Sequence, residues 1–326
     1  LLLFADSILA QGAYVVGWGM NAGNQASPVP TNAMSGVSSI AAGYNHSLAV
    51  KNGRVWAWGE NSAGQTNVPI LAESGVTNVA GGADYSLALK TDGSVVAWGG
   101  RTNLPAEVSS GVSQIAAGEY HALALKAGGI IAWGSNQVGQ CTVPSSLTSG
   151  VSAISAGGAY SMALKSGGVQ IFGSTENDIQ VIPAEATSGV SAIAAGRWHA
   201  LALKNGGVIA WGATYYDATV VPPEASSDVV AIAAGDCFSM ALKTNGSVVV
   251  WGDDTKAQLP VPAFASNGVS KIAAGVGHCL VVSSLMPPRF TAFNLPIAYT
   301  NSSYAGSITA AGDPAPRYYK GSGWAP

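Results

Sequence analysis

Residues 188–212 read SGVSAIAAGRWHALALKNGGVIAWG, and this pattern returns through most of the chain at a period of about 39 residues. Each copy has a first element that ends in Gly after two small residues, and a second element that ends in an aromatic residue and Gly. The first element ends at Gly43, Gly82, Gly118, Gly157, Gly196, Gly235 and Gly275. The second element ends at Trp18-Gly19, Trp58-Gly59, Trp98-Gly99, Trp133-Gly134, Phe172-Gly173, Trp211-Gly212 and Trp251-Gly252. Self-similarity at this period is typical of a solenoid, a propeller or an array.

The segments within each copy read as short strands and tight turns. Residues 86–90 and 95–98 are rich in Leu and Val, and Thr91-Asp92-Gly93 between them suits a hairpin turn. No segment shows the spacing of an amphipathic helix. Units of about 40 residues built from short antiparallel strands predict a propeller with four-stranded blades rather than a β-helix. The predicted fold class is therefore all-β.

The two ends of the repeat region are complementary. Residues 14–19 form an aromatic-Gly strand with no first element before it, and residues 269–282 form a first element with no aromatic-Gly strand after it. We predict that these two segments pair within one blade. The result is a seven-bladed β-propeller closed by pairing of its N- and C-terminal strands, which leaves no open sheet edge to template aggregation.

The histidines share one position of the repeat, three residues after the Gly of the first element. They are His46, His121, His199 and His278, and the other copies have Tyr85, Tyr160 and Phe238 there. A catalytic or metal-binding group needs specific partners, whereas this position accepts Tyr and Phe. We therefore expect each imidazole to hydrogen-bond the backbone of a neighbouring blade. The sequence has no Gly-x-Ser-x-Gly or His-Glu-x-x-His motif, and we predict no catalytic residues, no metal, no cofactor and no enzyme activity.

Composition limits the partners. Charged residues make up 10% of the chain, and the formal net charge is −3. The 14 Lys and Arg residues lie mostly in hairpin turns and form no basic stripe, so we expect no binding to nucleic acid. Cys141, Cys237 and Cys279 leave two alternatives open, either a Cys237–Cys279 bridge between adjacent blades or three thiols.

The chain divides into three predicted segments. Residues 1–13 read as the remnant of a secretory signal sequence or as an N-terminal extension, and they are too short to span a bilayer. Residues 14–286 are the propeller. Residues 287–326, with Phe293, Tyr304 and Tyr318, resemble a linker followed by the start of a bacterial Ig-like domain. We expect a monomeric propeller within a longer modular chain that is secreted or displayed at the cell surface and does not span a membrane.

Two sets of loops vary while the rest of the repeat stays constant. One set is the two residues after each first element, and the other follows each aromatic-Gly pair. Strand alternation places both sets at one end of the ring, where rigid strands present variable residues to a protein or cell-surface ligand. The candidate partner-binding residues are Tyr44, Asn45, Asp84, Glu119, Tyr120, Arg197, Trp198, Tyr215, Tyr216, Asp236, Asp253 and Asp254.

Several phrases of the repeat, among them residues 149–154, 193–196, 199–204 and 207–212, resemble the regulator of chromosome condensation repeat family. The similarity is greatest to the bacterial β-lactamase inhibitory proteins of that family, and it covers residues 14–282. It implies a seven-bladed propeller whose loop aromatics grip a β-lactamase. Carried over by position, those aromatics are Tyr44, Tyr120, Trp198, Tyr215 and Tyr216, with Asp84, Asp236, Asp253 and Asp254 as acidic neighbours. The matching positions elsewhere hold Gly158, Ala159, Cys237, Val276 and Gly277.

Two functions therefore follow from the sequence. The first is a non-catalytic exported scaffold that binds a partner through the loops on one face of the propeller. The alternative is a protein inhibitor of β-lactamase or of a related penicillin-recognising enzyme.

Overall fold

The computed structural model describes residues 13–285 and the backbone of two short paired strands, Arg289–Phe290 and Ala310–Ala311. The chain divides into one unit at Leu1–Leu285 and a second at Met286–Pro326. The signal-sequence prediction and most of the Ig-like prediction concern residues outside the described ones.

The first unit consists of short antiparallel strands. In chain order they are β1 (Tyr14–Gly19), β2 (Val37–Ala42), β3 (His46–Lys51), β4 (Arg54–Gly59), β5 (Val76–Gly81), β6 (Tyr85–Lys90), β7 (Val95–Gly99), β8 (Val112–Ala117), β9 (His121–Lys126), β10 (Gly129–Gly134), β11 (Val151–Ala156), β12 (Tyr160–Lys165), β13 (Gly168–Gly173), β14 (Val190–Ala195), β15 (His199–Lys204), β16 (Gly207–Gly212), β17 (Val229–Ala234), β18 (Phe238–Lys243), β19 (Val248–Gly252), β20 (Val269–Ala274) and β21 (His278–Ser283). They form seven three-stranded sheets, which confirms the all-β class.

Sheets 1 to 6 are consecutive triplets, from β2-β3-β4 to β17-β18-β19, and sheet 7 has the order β1-β21-β20. Strand β1 pairs with β21 from Tyr14 opposite Ser283 to Gly19 opposite His278. Sheet 7 in turn contacts sheet 1, where the Ser47 Oγ lies 3.0 Å from the His278 Nε2. The two ends of the described repeat region therefore share one sheet, and the predicted pairing of these segments is present.

The blades have three strands, and the prediction of a fourth strand was wrong for the described residues. The segment after each aromatic-Gly loop forms a short 3-10 turn instead of a strand. These turns are Thr31–Ala33, Ile70–Ala72, Ala106–Ser109, Ser145–Leu147, Ala184–Thr187, Pro223–Ala225 and Ala263–Ala265. A proline precedes each turn, as Pro69 does before Ile70–Ala72. Proline lacks the N–H that a further ladder would need, and its fixed φ favours the turn.

The core lies between neighbouring sheets. Leu48 and Val50 of sheet 1, for example, pack against Val76, Ala88 and Trp98 of sheet 2. The aromatic residue before each conserved Gly fills this space as predicted, and all but Trp133 are buried: Trp18, Trp58, Trp98, Phe172, Trp211 and Trp251. The small residues of the first elements line a central cavity of about 70 Å³. The first strand of each repeat is therefore an inner strand of the ring, and these strands are β2, β5, β8, β11, β14, β17 and β20.

A hydrogen-bond chain locks sheet 1 to sheet 2. The His46 Nε2 lies 2.9 Å from the Ser86 Oγ, and that hydroxyl donates to the Gln65 carbonyl at 2.8 Å. The Trp98 Nε1 donates to the same carbonyl at 2.8 Å. Since Ser86 gives its only proton to Gln65, the His46 Nε2 must carry a proton and donate it to Ser86. Burial lowers the pKa of His46 to about 4, so the ring is neutral near pH 7. The histidines are structural, although their partner is a serine side chain rather than the predicted backbone.

The residue type at the histidine position, His, Tyr or Phe, varies together with the residue that it contacts on the next sheet. Each His faces a Ser, in the pairs His46–Ser86, His121–Ser161, His199–Ser239 and His278–Ser47. Each Tyr is found where that residue is Ala, in the pairs Tyr85–Ala122 and Tyr160–Ala200, and Phe238 packs with Cys279. The smaller Ala gives the Tyr85 hydroxyl room to donate to the His121 carbonyl.

The lysines at the ends of the middle strands tie down the 3-10 turns at the opposite end from the variable loops. Lys90 donates to the Leu71 carbonyl at 3.0 Å, and Lys165 donates to the Ser146 carbonyl at 2.6 Å. Lys126, Lys204 and Lys243 make the same contact, each with a carbonyl 19 residues earlier. Ser283 replaces Lys in the last copy and donates to the Phe264 carbonyl.

Candidate functional site

Backbone hydrogen bonds bring the two sets of variable loops together. We call the residues after each inner strand the inner turns, and the residues after each aromatic-Gly pair the outer loops. The Glu60 N–H donates to the Asn45 carbonyl at 2.8 Å, and the Ala213 N–H donates to the Trp198 carbonyl at 3.0 Å. Equivalent bonds join Met20 to Gly277, Gly100 to Asp84, Ser135 to Tyr120, Ser174 to Ala159 and Asp253 to Cys237. Both loop sets therefore form one surface, which we call the loop face.

The Gly that ends each first element allows the inner turns to pack closely. The Gly43 N–H donates to the His46 carbonyl at 2.9 Å, which closes a two-residue turn. A side chain at Gly43 would overlap the His46 ring and the Gly82 carbonyl. The Tyr44 N–H donates to that same Gly82 carbonyl at 3.0 Å, so consecutive turns are linked. Because the backbone holds the turns, their side chains are free to vary.

Four of the predicted site residues meet at the loop-face end of the central axis. The Arg197 Nη2 lies 3.2 Å from the Glu119 Oε1, and the Arg197 Nη1 lies 3.8 Å from the Asp236 Oδ1. The Arg197 guanidinium also lies 5.6 Å from the Tyr44 ring centre and 4.9 Å from the Trp198 ring centre. We call Tyr44, Glu119, Arg197 and Asp236 the axial cluster. It unites residues from sheets 1, 3, 5 and 6 above the central cavity.

Burial shapes the charges of the axial cluster. The side-chain exposed fractions of Glu119, Arg197 and Asp236 are 13%, 31% and 24%. Burial raises the pKa of Asp236, and the nearby Arg197 opposes that rise. Burial alone would lower the pKa of Arg197, but Tyr44, Glu119 and Asp236 raise it above its usual value, so the guanidinium stays charged. Burial, followed by Glu119, raises the pKa of the Tyr44 hydroxyl, which stays neutral.

The outer loop of sheet 5 presents the largest exposed aromatic group of the loop face. Tyr215 is 55% exposed and Tyr216 is 60% exposed, while neighbouring Trp198 is partly buried. This loop has two residues with positive φ in succession, Tyr216 at φ 54° and Asp217 at φ 59°, as the outer loop of sheet 4 has at Asn177 and Asp178. A left-handed conformation costs a tyrosine about 1 kcal/mol or more, and such strain is concentrated at functional sites.

A second cluster surrounds Tyr120, which is 41% exposed. The Arg101 guanidinium lies 4.6 Å from the Tyr120 ring centre, and the Arg101 Nε lies 3.3 Å from the Asp84 Oδ1. Arg101 is not among the site residues predicted from the sequence. Its position in a variable loop directly after Trp98-Gly99 was the signal that could have identified it.

The remaining site residues contribute more to loop structure than to a free surface. The Asp253 carboxylate accepts hydrogen bonds from the Thr255 N–H and hydroxyl, and the Asp254 carboxylate accepts from the Leu259 N–H at 2.7 Å. Both aspartates therefore order their own outer loop. Asn45 is partly buried in the inner turn of sheet 1.

The described residues lack the features of a metal site, a disulfide bridge or a membrane-spanning helix. Across residues 13–285 no group of three or more His, Cys, Asp or Glu side chains is arranged to bind a metal. Cys141, Cys237 and Cys279 are free thiols, so of the two alternatives that the sequence left open the structure has the three thiols and not the Cys237–Cys279 bridge. Within the same part of the chain, no helix has the length and apolar character needed to cross a bilayer.

Three stretches of the chain, residues 37–65, 112–140 and 229–258, match the sequence profile of the regulator of chromosome condensation (RCC1) repeat. These three stretches are therefore similar to the repeat of that family. No curated protein sequence matches it.

Several solved structures share the fold. Prp20p from Saccharomyces cerevisiae is 18% identical, with a TM-score of 0.67 over 84% of this chain and 92% of that chain. Human WBSCR16 is 18% identical, with a TM-score of 0.64 over 83% of this chain and 99% of that chain. The ectodomain of the Arabidopsis thaliana receptor kinase ACR4 is 21% identical, with a TM-score of 0.58 over 73% of this chain and 90% of that chain. At this identity the likeness establishes a β-propeller fold and nothing about partners.

Proposed function

We propose that this protein is a non-catalytic scaffold that recognises a partner protein or a cell-surface ligand through the loop face. The observation that carries the proposal is the strained and exposed Tyr216, held beside Tyr215 on a rigid ring. Binding energy at protein interfaces is concentrated in Tyr, Trp and Arg near the centre of a patch. Tyr215, Tyr216 and Trp198 with Arg197 provide those residue types in one sheet.

The rigid scaffold supports binding because little loop entropy has to be lost. Backbone bonds fix the inner turns to each other and the outer loops to the inner turns. A surface that is ordered before the partner arrives loses less freedom on association. A protein-binding role also has a precedent in the fold, since Prp20p is described by its binding to Gsp1p and histones.

Charge narrows the chemistry of the partner. The loop face carries the acidic residues Asp84, Glu119, Asp236, Asp253 and Asp254, and its cations include Arg101, Arg197 and Lys256. The Arg side chains are already paired with Asp84, Glu119 and Asp236. The unpaired residues Asp253 and Asp254 outnumber Lys256, so the net unpaired charge is acidic. The proposed partner therefore presents Lys or Arg around an apolar or aromatic centre, and its association slows as salt is raised.

The proposal includes the state of the protein. The β1–β21 pairing supports a ring that stays closed in solution. The predicted signal-sequence remnant at residues 1–10 supports export to the cell surface or out of the cell, and the proposed scaffold is a monomer. An acidic loop face supports a partner other than nucleic acid.

Inhibition of a β-lactamase or a related penicillin-recognising enzyme is the second candidate. The exposed side chains of Tyr120, Tyr215 and Tyr216 favour this function. The resemblance to the inhibitory proteins implies that aromatic residues of these loops contact the β-lactamase. Loss of nitrocefin hydrolysis by a panel of class A β-lactamases on titration with this protein would establish that function. Full activity of every enzyme in the panel would exclude it and leave the scaffold proposal untouched.

The scaffold proposal is tested by affinity capture from the native secretion with immobilised protein. The wild type is compared with the double variant Trp198→Ala/Tyr216→Ala and with Ile70→Ala, which removes an 81% exposed side chain at the opposite end. A partner retained by the wild type and by Ile70→Ala but lost from the double variant supports the proposal. Equal retention by all three proteins contradicts it.

A further inference from the structure

The end of the central axis opposite the loop face is asymmetric. The third residue of each inner strand faces this end, and around the ring it is Ser39, Asn78, Gln114, Ala153, Ala192, Ala231 and Lys271. Sheets 7, 1, 2 and 3 thus carry polar residues in succession, whereas sheets 4, 5 and 6 carry Ala. A scaffold role alone requires no such division, because Ala is tolerated at three of these positions.

An open cavity of about 380 Å³ lies on the polar side of this end. Its lining includes Ser39 of sheet 1, Asn78 of sheet 2, Ala231 of sheet 6 and Lys271 of sheet 7. Lys271 is the one charged residue in that lining. Its ammonium has no hydrogen bond or ion pair with any described residue. A volume of this size accommodates a small organic molecule.

The other polar groups of the cavity are ordered so that they add a second donor. The Ser39 hydroxyl donates to the Asn78 Oδ1 at 2.8 Å, and the Val79 N–H donates to the same oxygen at 2.8 Å. These two bonds fix the amide with its Nδ2 unused. The hydroxyls of Ser38, Thr77 and Ser270 donate to strand carbonyls and hold the wall of the cavity.

We propose that this cavity binds a carboxylate. The Lys271 ammonium supplies the charge, the Asn78 amide supplies a directed hydrogen bond, and neither donor has a partner among the described residues. Ile40, Ile272 and Ala231 offer apolar surface for the carbon skeleton that bears the carboxylate. The carboxylate belongs either to a free dicarboxylic acid or to an acidic side chain of a peptide. The site is independent of the loop face because it lies at the other end of the ring.

The test is isothermal titration calorimetry at low salt with three probes: succinate, acetyl-glutamate amide and uncharged succinamide. The variants are Lys271→Ala and Asn78→Ala. Lys271→Ala gives β20 the sequence Val-Ser-Ala-Ile-Ala-Ala that β14 already has, so the fold is expected to accept it. Lys256→Ala, which removes an exposed lysine from an outer loop, is the matched control.

We expect saturable binding of succinate or of acetyl-glutamate amide to the wild type and to Lys256→Ala, and none of succinamide. Lys271→Ala and Asn78→Ala should each weaken binding roughly tenfold or more. Preference for succinate identifies a free acid, and preference for the amide identifies a peptide side chain. The proposal is overturned if neither carboxylate binds below about 20 mM, if inorganic sulfate binds as tightly as the carboxylates, or if Lys256→Ala loses as much affinity as Lys271→Ala.

Discussion

Arg197 and Glu119 are 78 residues apart in the chain, and their charged groups meet 3.2 Å apart at the axis of the propeller. The pair links sheet 5 to sheet 3, and Asp236 of sheet 6 adds a second carboxylate to the same guanidinium. The centre of the loop face is therefore an internal ion pair, and the free aromatic surface lies beside it.

The Arg197–Glu119 pair should stabilise the ring measurably. We expect a double-mutant cycle with Arg197→Ala and Glu119→Ala in urea unfolding to give a coupling of about 1 kcal/mol, because Glu119 is largely buried. Arg54 and Glu73 are the matched control, since they pair at 2.9 Å but are 47% and 43% exposed. Their coupling should stay below about 0.5 kcal/mol. Equal couplings for the two pairs would show that the axial cluster is no more than a surface contact.

Acid should weaken the fold through the buried histidines. Burial lowers the pKa of His46, His121 and His199 to about 4 and that of His278 to about 3. Below pH of about 6.5 the unfolded chain binds protons that the folded imidazoles refuse, so the free energy of unfolding falls as pH drops from about 6.5 to about 4. Above pH of about 6.5 these groups add no dependence. Urea midpoints measured across this range check the prediction, and a midpoint that is constant down to pH of about 4.5 would contradict it.

The His–Ser matching predicts which substitutions are tolerated. Ser239→Ala leaves the buried His199 Nε2 without its partner, and we expect a loss of about 1–3 kcal/mol. The double variant His199→Tyr/Ser239→Ala recreates the Tyr160–Ala200 pair and should recover most of that loss. It should also reduce the acid dependence, because one histidine is gone. Chemical unfolding of the three proteins measures this, and a double variant less stable than Ser239→Ala would refute the matching.

We expect closure of the ring to depend on β1, which pairs with β21. Deletion of residues 1–19 removes the partner of β21 and exposes its edge, so we expect aggregation or a fall in the thermal midpoint of 10 °C or more, on the order of several kcal/mol. Deletion of residues 287–326 is the control, because Met286–Pro326 forms a separate unit. An unchanged midpoint after the N-terminal deletion would mean that β1 is dispensable.

The fold could be predicted from sequence because the start and end of each repeat copy can be recognised directly in the sequence. The complementary ends at residues 14–19 and 269–282 predicted the β1–β21 pairing without any structure. The number of strands per blade could not be predicted so well, since a Pro-initiated 3-10 turn such as Ile70–Ala72 and a short edge strand have similar composition. The His–Ser matching was present in the sequence as residues 40 apart, but only the contact between sheets shows why it exists.

The site was predictable as a surface but not as a set of contacts. Varying loops identified the loop face, and Tyr215 and Tyr216 are exposed there. That Arg197 would reach Glu119 across the axis could not be read from a spacing of 78 residues, because the distance depends on ring geometry. Arg101 was missed because its role depends on Tyr120, which lies on the neighbouring sheet.

We expect the positive φ of Tyr216 to lower the free energy of unfolding of the protein. Tyr216→Gly relieves the positive φ and is expected to raise the free energy of unfolding by up to about 1 kcal/mol, whereas Tyr216→Ala keeps a β-carbon and should not. Urea unfolding of both variants beside the wild type measures the difference. A less stable Tyr216→Gly would mean that the loop is relaxed as it stands.

The affinity of the captured partner for wild type, Trp198→Ala, Tyr216→Ala and Ile70→Ala is the most direct measurement of loop-face recognition. We predict that Trp198→Ala and Tyr216→Ala each weaken binding at least about tenfold with unchanged thermal midpoints, and that Ile70→Ala binds as the wild type does. Wild-type affinity in both loop-face variants, or loss of affinity only together with unfolding, would contradict recognition through this surface.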